Sequence, residues 1–281
     1  MNKKNFPVAA LLESFPSGSR SRNRAVAAGR NIRLEIEYDG TRYNGWQVQR
    51  RNKNDNSKLR LRTIQETLEN TLRKILQEKI RIIVSGRTDA GVHAKAQVAN
   101  FKTKSTIALW KLQKALNALL PKDISISKAE DASFNFNSRF DAKSKIYRYT
   151  ILNSPHPSAL LRRYTYHCPH QLNIRLMQKE AKTILGRHDF KSFQASEKRE
   201  RSSIRTIKKL SIVREQDLIY IYFIGNGFLY NMVRNIVGTL FEIGRGRLAR
   251  GSLKKILAAK DRKLAGPLVA ARGLCLIKVE Y

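Results

Sequence analysis

The chain has 281 residues, with 55 lysines and arginines against 22 aspartates and glutamates, and its formal net charge is +33 at pH 7. At roughly 150 residues per domain this length predicts two domains, and 42% hydrophobic residues suffice to build cores, which argues against wholesale disorder. Unpaired cations are costly to bury, so the excess charge faces solvent or a polyanion, and nucleic acid is the polyanion that fits best. An enzyme acting only on small molecules is therefore disfavoured.

The sequence contains no stretch suited to crossing a membrane. Its longest uncharged run, Leu218 to Val233, has 16 residues, is interrupted by Gly225-Asn226-Gly227 and is too short to span a bilayer. Cys168 and Cys275 lie far apart and match neither a zinc spacing nor a disulfide framework. A reducing compartment follows from this cysteine usage, and we predict a cytoplasmic location.

Residues 1–30 are predicted to form a flexible basic N-terminal extension. This segment carries six basic residues against the single Glu13 and a serine-rich patch. Such composition is typical of a disordered arm that adds nonspecific attraction to RNA. An organellar transit peptide has similar composition and stays open as an alternative.

Ordered structure is predicted from Asn31, where apolar and polar residues alternate through Glu37 as in a half-buried strand. Thr63 and Glu66 form a capping-box pattern at the start of a helix over 64–78. The other elements predicted in this half are strands over 80–84, 94–101 and 124–127 and a helix over 109–119 that Pro121 closes.

The second half repeats the same kinds of element. Its predicted elements are strands over 145–151, 204–213, 218–224 and 274–280 and helices over 172–185, from Met232 to about Leu240, and over 252–259. Each half follows the order strand, helix, strand, strand, helix, strand. We therefore predict an α+β protein with two halves of related topology, 31–138 and 139–281, around a shared cleft.

Three clusters of basic residues supply much of the positive charge. The loop 50–62, together with Gln49, has six basic residues and one acidic residue, the segment 191–214 has eight and two, and the segment 245–263 has eight and one. Any single cluster is most simply a solvated face. Their combination with the basic extension indicates an RNA-binding surface whose affinity depends strongly on salt.

The sharpest local feature is Ser85-Gly86-Arg87-Thr88-Asp89-Ala90-Gly91-Val92-His93, which follows an apolar run. Two glycines permit a tight turn, and an aspartate after a core strand is placed as ligand-facing groups often are. A carboxylate can also act as a nucleophile. From spacing alone, a turn aspartate that hydrogen-bonds its own backbone remains the simpler interpretation.

This segment strongly resembles the signature of the TruA family of tRNA pseudouridine synthases, and the resemblance covers residues 31–281. Further blocks stand in family order: Tyr38-Asp39-Gly40-Thr41, Gly45-Trp46-Gln47, Thr63-Ile64-Gln65, Leu119-Leu120-Pro121, Arg139-Phe140, Tyr147-Arg148-Tyr149, His188-Asp189-Phe190, Ser192-Phe193, Phe228-Leu229, Met232 to Gly238 and Ala271-Arg272-Gly273-Leu274. The resemblance implies the pseudouridine synthase fold, with mainly antiparallel sheets flanked by helices around a central basic cleft.

The resemblance also implies roles for particular residues. Asp89 matches the catalytic aspartate, Tyr147 the aromatic residue that stacks on the target uracil, and Arg234 the arginine paired with the aspartate. Arg87 matches the arginine that enters the RNA where the base leaves the stack, and Leu274 an apolar wall of the pocket. Without the resemblance, Tyr147 and Arg234 would be interpreted as a strand aromatic and an exposed helix charge.

Pseudouridine formation breaks the bond from uracil N1 to ribose C1′, turns the base and rejoins it through C5, so it needs neither a redox cofactor nor a metal. We expect no cofactor. The target uridine is expected to flip out of its stem, and Asp89 to act either as a nucleophile or by assisting a glycal-like intermediate. Arg234 is expected to lower the pKa of Asp89 and keep it ionised, and Tyr147 is a possible base for the C5 proton.

The expected substrate is tRNA, modified in the anticodon stem-loop at positions 38 to 40, and the resemblance implies a homodimer. Three alternatives stay open. They are a pseudouridine synthase for another tRNA or RNA site, a noncatalytic RNA-binding protein on the same scaffold, and, more remotely, a metal-dependent nuclease using Asp39, Asp89 and Asp123. The loop 50–62 is longer and more basic than the usual family form, and we expect it to extend the contact with tRNA.

Overall fold

A computed structural model describes residues 29–47, 62–195 and 202–281 of the chain. The predicted basic extension, apart from its last two residues, lies outside the described residues. So does the basic loop 50–62, apart from Arg62.

The elements of the first half agree with the predicted order. They are β1 (Arg30–Tyr38), α1 (Ile64–Leu76), β2 (Ile83–Val84), β3 (His93–Thr103), α2 (Leu109–Leu119) and β4 (Ile124–Ala132). Helix α1 begins as the capping pattern predicts, since the backbone N–H of Glu66 donates to the Thr63 side chain at 3.2 Å. It ends where Gln77 adopts a left-handed conformation.

The predicted strand over 80–84 is shorter than expected, with only Ile83 and Val84 paired to β3. The backbone N–H of Ile82 donates to the Glu69 carboxylate of α1 at 3.0 Å instead of to a neighbouring strand. Ile80 and Ile82 are nevertheless buried. The apolar run therefore indicates burial correctly at Ile80 and Ile82, whereas Ile83 is 37% exposed, and the backbone N–H of Ile82 is satisfied by a side chain.

The second half contains more short elements than the sequence predicts. They are β5 (Ser144–Leu152), β6 (Tyr166–His167), α3 (Ile174–Ala181), β7 (Gly186–Asp189), β8 (Ile204–Glu215), β9 (Leu218–Gly225), α4 (Met232–Gly244), α5 (Ser252–Ala259) and β10 (Leu274–Glu280). Strands β6 and β7 are too short to show a periodicity. The helix predicted over 172–185 shrinks to α3, because Asn173 caps it and a 3₁₀ turn replaces its last residues.

The strands of the described residues form one ten-stranded sheet, in the order β4-β1-β3-β10-β5-β9-β8-β7, with β2 and β6 beside β3 and β5. Neighbours are antiparallel except β10 with β3 and β6 with β5. The predicted α+β class is therefore confirmed, although a continuous sheet crosses both halves. The boundary between residues 138 and 139 stays a prediction.

The parallel contact of β10 with β3 brings distant parts of the chain together. Cys275 of β10 lies opposite His93, the first residue of β3 and the last residue of the Asp89 segment. On its other side, Leu276 lies opposite Tyr147 of β5. The candidate site therefore lies at the middle of the sheet, where elements of both halves meet.

Helix α4 is buried along most of its length, from Met232 to Gly244. It packs closely against residues 266–269. The approach is so close that a Cβ on Gly238 would lie 1.8 Å from the carbonyl oxygen of Pro267. Only glycine permits this approach. In the described part of the chain, no helix has both the length and the apolar character required to cross a membrane.

We expect Gly238→Ala to destabilise the protein by about 1–3 kcal/mol or more, because overpacking must displace backbone and not merely a side chain. Thermal unfolding monitored by circular dichroism measures this effect. Gly227→Ala is the matched control, since its Cβ would meet no atom closer than 3.8 Å. Equal melting temperatures for the two variants would contradict the close packing at Gly238.

Candidate active site

A cleft of about 1320 Å³ opens at the junction of the two halves. All five residues predicted for the site line it, namely Arg87, Asp89, Tyr147, Arg234 and Leu274. They come from the loop before β3, from β5, from α4 and from the start of β10. The structure thus brings together residues that are up to 187 positions apart in the sequence, between Arg87 and Leu274.

The segment that carries Asp89 is held by contacts with the end of β1 and with the loop that follows it. The N–H of Trp46 donates to the Thr88 carbonyl at 3.0 Å, and the hydroxyls of Tyr38 and Thr88 lie 2.7 Å apart. Gly45 has φ +75°, and a Cβ there would lie 2.8 Å from the Thr88 oxygen. Glycine is therefore required beside the Asp89 segment.

A buried glutamine fixes the start of the same segment. Gln97, on β3, is fully buried; its amide nitrogen donates to the Gly86 carbonyl at 2.8 Å, and its amide oxygen accepts from the Ser85 hydroxyl at 2.6 Å. Each buried polar group thereby finds a partner. This arrangement limits the motion of the loop ahead of Asp89.

His93 fixes the other end of the segment. Its Nδ1 accepts from the backbone N–H of Gly40 at 3.1 Å, and its Nε2 lies 2.9 Å from the Arg163 carbonyl oxygen. Burial lowers the pKa of His93, although Asp39 beside it acts in the opposite direction. His93 therefore links the Asp89 segment to the second half as a neutral, structural side chain.

Arg234 lies close to Asp89, as predicted. Its Nη1 is 3.4 Å from the Asp89 Oδ2 and also donates to the Asn231 side chain at 3.0 Å, while its Nε donates to the Val269 carbonyl at 2.8 Å. The guanidinium is thus oriented by two other acceptors. Its contact with Asp89 is long and involves one nitrogen, whereas the strongest such pairs are bidentate.

The net pKa shift of Asp89 is upward. Burial raises the pKa of Asp89, and Arg234 lowers it, as predicted, but offsets the effect of burial only in part. The predicted effect of Arg234 is therefore present, but burial outweighs it. The physical reason is that desolvation of the carboxylate outweighs a long, shared ion pair.

Tyr147 is buried, with 7% of its surface exposed, and its ring meets the edge of Phe228 at 5.3 Å between ring centroids. Burial raises the pKa of Tyr147, and the nearby Tyr38 and Asp89 act in the same direction. A phenol in this environment stays protonated. The raised pKa of Tyr147 therefore argues against its use as a base.

The described residues that line the cleft include one carboxylate, Asp89, and six cationic side chains: Arg81, Arg87, Arg139, Lys145, Arg205 and Arg234. The predicted basic clusters supply few of these. The segment 191–214 contributes Arg205, and 245–263 contributes none. Part of the segment 245–263 is instead engaged elsewhere, since Arg245 and Arg247 pair with Glu242.

Several residues of the cleft were not predicted from the sequence. Lys145 lies two residues before Tyr147 on β5, so strand alternation could have placed both on one face. Its Nζ donates to the Ser85 carbonyl at 2.5 Å. Burial, with Arg139 and Arg205 nearby, lowers the pKa of Lys145 to about 8.

The other aspartates considered as metal ligands lie apart from this cleft. Asp39 contacts Thr41 and Tyr164, and Asp123 accepts from Tyr43. Across residues 29–47, 62–195 and 202–281, no three His, Cys, Asp or Glu side chains gather where they could hold a metal ion. The structure therefore does not group Asp39 and Asp123 with Asp89.

Comparison with known proteins identifies the family. The sequence profile described as tRNA pseudouridine synthase matches residues 35–141 and 181–281. The chain is 44% identical over 252 residues to tRNA pseudouridine synthase A of Acetivibrio thermocellus, 46% identical to tRNA pseudouridine synthase A 2 of Clostridium perfringens and 45% identical to tRNA pseudouridine synthase A of Clostridium acetobutylicum. Each alignment covers 90% of this chain and 100% of the relative.

The chain therefore belongs to the tRNA pseudouridine synthase family, and it is an isomerase. The resemblance to the TruA family is confirmed by these relatives.

We expect the pKa of Asp89 to lie above the ordinary aspartate value of about 3.9, and to rise further in Arg234→Gln, because the opposing charge is lost. Carbon-13 NMR titration of the carboxylates, with Asp89→Asn to assign the signal, measures both values. Arg87→Gln is the matched control, because Arg87 is not among the groups that shift Asp89. An Asp89 pKa that does not change in Arg234→Gln would contradict this account.

Proposed function

We propose that this chain converts uridine to pseudouridine in the anticodon stem-loop of tRNA, at positions 38 to 40, with Asp89 as the catalytic group. One observation carries the proposal most directly. Asp89 is the single carboxylate among the described residues of a strongly cationic cleft, and it lies beside Arg234 in a cleft that Tyr147 also lines. The relatives bear the name tRNA pseudouridine synthase A, which supports tRNA as the substrate.

In this reaction the N1–C1′ bond breaks, the uracil turns, a C5–C1′ bond forms, and the proton on C5 leaves while N1 gains one. Asp89 acts either by attacking C1′ or by assisting a glycal-like intermediate. Both routes require the ionised carboxylate. Because burial raises the pKa of Asp89, Arg234 serves to limit that rise and to orient the carboxylate.

The neighbouring side chains position the base. Tyr147 is held edge-on by Phe228, so its ring is prepared to stack on the uracil as it turns. Leu274 supplies an apolar wall. Arg87, two residues before Asp89, lines the cleft and enters the stem as the uridine leaves. Phosphate contacts with the cleft offset the unstacking of the base, which costs a few kcal/mol.

We also propose that the protein acts as a homodimer in the cytoplasm. The dimer comes from the resemblance to the TruA family, and the location from the cysteine usage. Light scattering of the purified protein measures the oligomeric state. A mass near 64 kDa, twice the 32.2 kDa of the chain, is the expected result, and a monomeric mass would contradict the dimer.

We expect Asp89→Asn to lower pseudouridine formation by a factor on the order of 10³ or more, because the isosteric amide cannot act as a nucleophile. The assay measures tritium release from tRNA labelled at uracil C5, without added metal or cofactor. Asp131→Asn is the control, since Asp131 pairs with Arg30 away from the cleft. Binding of tRNA without tritium release by the wild type would favour the noncatalytic alternative.

The target position is tested with tRNAs that carry a single uridine at 38, 39 or 40. We expect product at these positions when the modified RNA is mapped by carbodiimide adducts and primer extension. Product at another site, with none in the anticodon stem-loop, would keep the synthase assignment and overturn the substrate position.

A further inference from the structure

One wall of the cleft carries an aromatic side chain that the reaction described above does not use. Phe140 lines the cleft, yet 77% of its surface is exposed. It belongs to the turn between β4 and β5. An exposed aromatic ring beside a cationic groove is the combination on which proteins stack the bases of single-stranded nucleic acid.

The turn that presents Phe140 is held by hydrogen bonds among its own residues. The Asn137 side-chain oxygen accepts from the backbone N–H groups of Arg139 and Phe140, at 3.0 and 3.3 Å. The N–H of Asn137 in turn donates to the Asp141 carboxylate at 2.9 Å, and the N–H of Asp141 donates to the Asn137 carbonyl at 3.0 Å. The backbone position of Phe140 is therefore set before any ligand arrives.

The same turn is anchored to the core through Ser138, which is fully buried. Its N–H donates to the Asn100 side chain at 2.9 Å and its hydroxyl donates to the Ile83 carbonyl at 2.8 Å. The hydroxyl of Tyr281 donates to the Ser138 carbonyl at 2.8 Å. An exposed aromatic on an anchored turn loses little conformational freedom on binding, which favours affinity.

Cations surround the base of this wall. The Arg139 guanidinium lies 5.5 Å from the Phe140 ring centroid. Arg139 and Arg205 lie close enough to Lys145 to add to the lowering of its pKa by burial. The Lys145 Nζ donates to the carbonyl of Ser85, at the start of the Asp89 segment. Among the described residues of the cleft, the one carboxylate is Asp89, which contacts Arg234. The wall therefore combines an exposed aromatic ring with three cationic side chains.

We propose that Phe140, Arg139, Lys145 and Arg205 form a subsite for one unpaired nucleotide that flanks the target uridine. The base stacks on Phe140, and the phosphate lies among the three cations. A nucleotide is the ligand class that combines a flat π face with an anion, and stacking on an aromatic tolerates any base. Lys145 connects this subsite to the Asp89 segment and lies on the same strand as Tyr147. This inference rests on the proposed function, because it assumes an RNA substrate.

A binding experiment tests the stack without turnover. The RNA is a stem-loop that carries 2-aminopurine on either side of the target uridine, and the protein is Asp89→Asn, so the base is not converted. We expect the fluorescence of 2-aminopurine at one of the two positions to fall on binding, and this change to be absent when Phe140→Ala is added. Phe134→Ala is the matched control, because Phe134 is 53% exposed and does not line the cleft.

Steady-state kinetics of single variants of Phe140, in the otherwise wild-type chain, measure how much the stack contributes to kcat/KM. We expect Phe140→Ala to lower kcat/KM for tRNA roughly 5- to 150-fold, the loss of one base–aromatic stack, and Phe140→Trp to restore most of it. Phe140→Leu, which keeps apolar bulk without a π face, should resemble Phe140→Ala. Activity of Phe140→Ala or Phe140→Leu equal to that of Phe134→Ala would overturn the stacking site.

The phosphate contact is tested by the salt dependence of RNA binding. Lys145→Gln should reduce the slope of log affinity against log salt by roughly 0.7, the value for one phosphate contact on a single strand, and Lys145→Arg should keep it. An unchanged slope in Lys145→Gln would remove Lys145 from the subsite. Failure of the wild type to form pseudouridine would count against the proposed function, whereas the 2-aminopurine signal tests the subsite independently of turnover.

Discussion

The parallel pairing of β3 with β10 is the constraint on which the rest of the site depends. Only Cys275 and Leu276 of β10 pair with β3, opposite His93 and Ala94. This short contact joins the strands of both halves into one sheet and places the end of the Asp89 segment beside the last strand of the chain. A parallel pair requires a long connection, and here nearly the whole second half lies between the two strands.

The electrostatics of the cleft reflect a balance between burial and pairing. Burial raises the pKa of Asp89, and Arg234 opposes it through a single 3.4 Å contact, because its other polar contacts hold Asn231 and Val269. The close approach of Gly238 to Pro267 puts the Val269 carbonyl within reach of that guanidinium. A tighter, bidentate pair would keep Asp89 ionised more firmly but would leave its oxygens less available for chemistry.

The fold separates the basic residues that line the cleft from basic residues that pair with acidic side chains elsewhere. Among the described residues, most cations that line the cleft come from single positions on several elements, such as Arg81, Arg139 and Lys145, and the dense runs in the sequence contribute only Arg205. Two residues of the run 245–263 instead pair with acidic side chains: Arg245 with Glu242, and Lys260 with Asp189. Net charge therefore indicates an affinity for a polyanion, whereas the fold decides which cations can reach one.

The sequence by itself determined the order of the long elements, because strand alternation and helix periodicity are local properties. It pointed to Asp89, Arg234 and Tyr147 through resemblance. Only the tertiary structure decided the sign of the Asp89 pKa shift, the placement of Lys145 beside Ser85 and the exposure of Phe140 on an anchored turn. These depend on burial and on contacts between segments far apart in the chain, and neither can be calculated from the spacing of neighbouring residues.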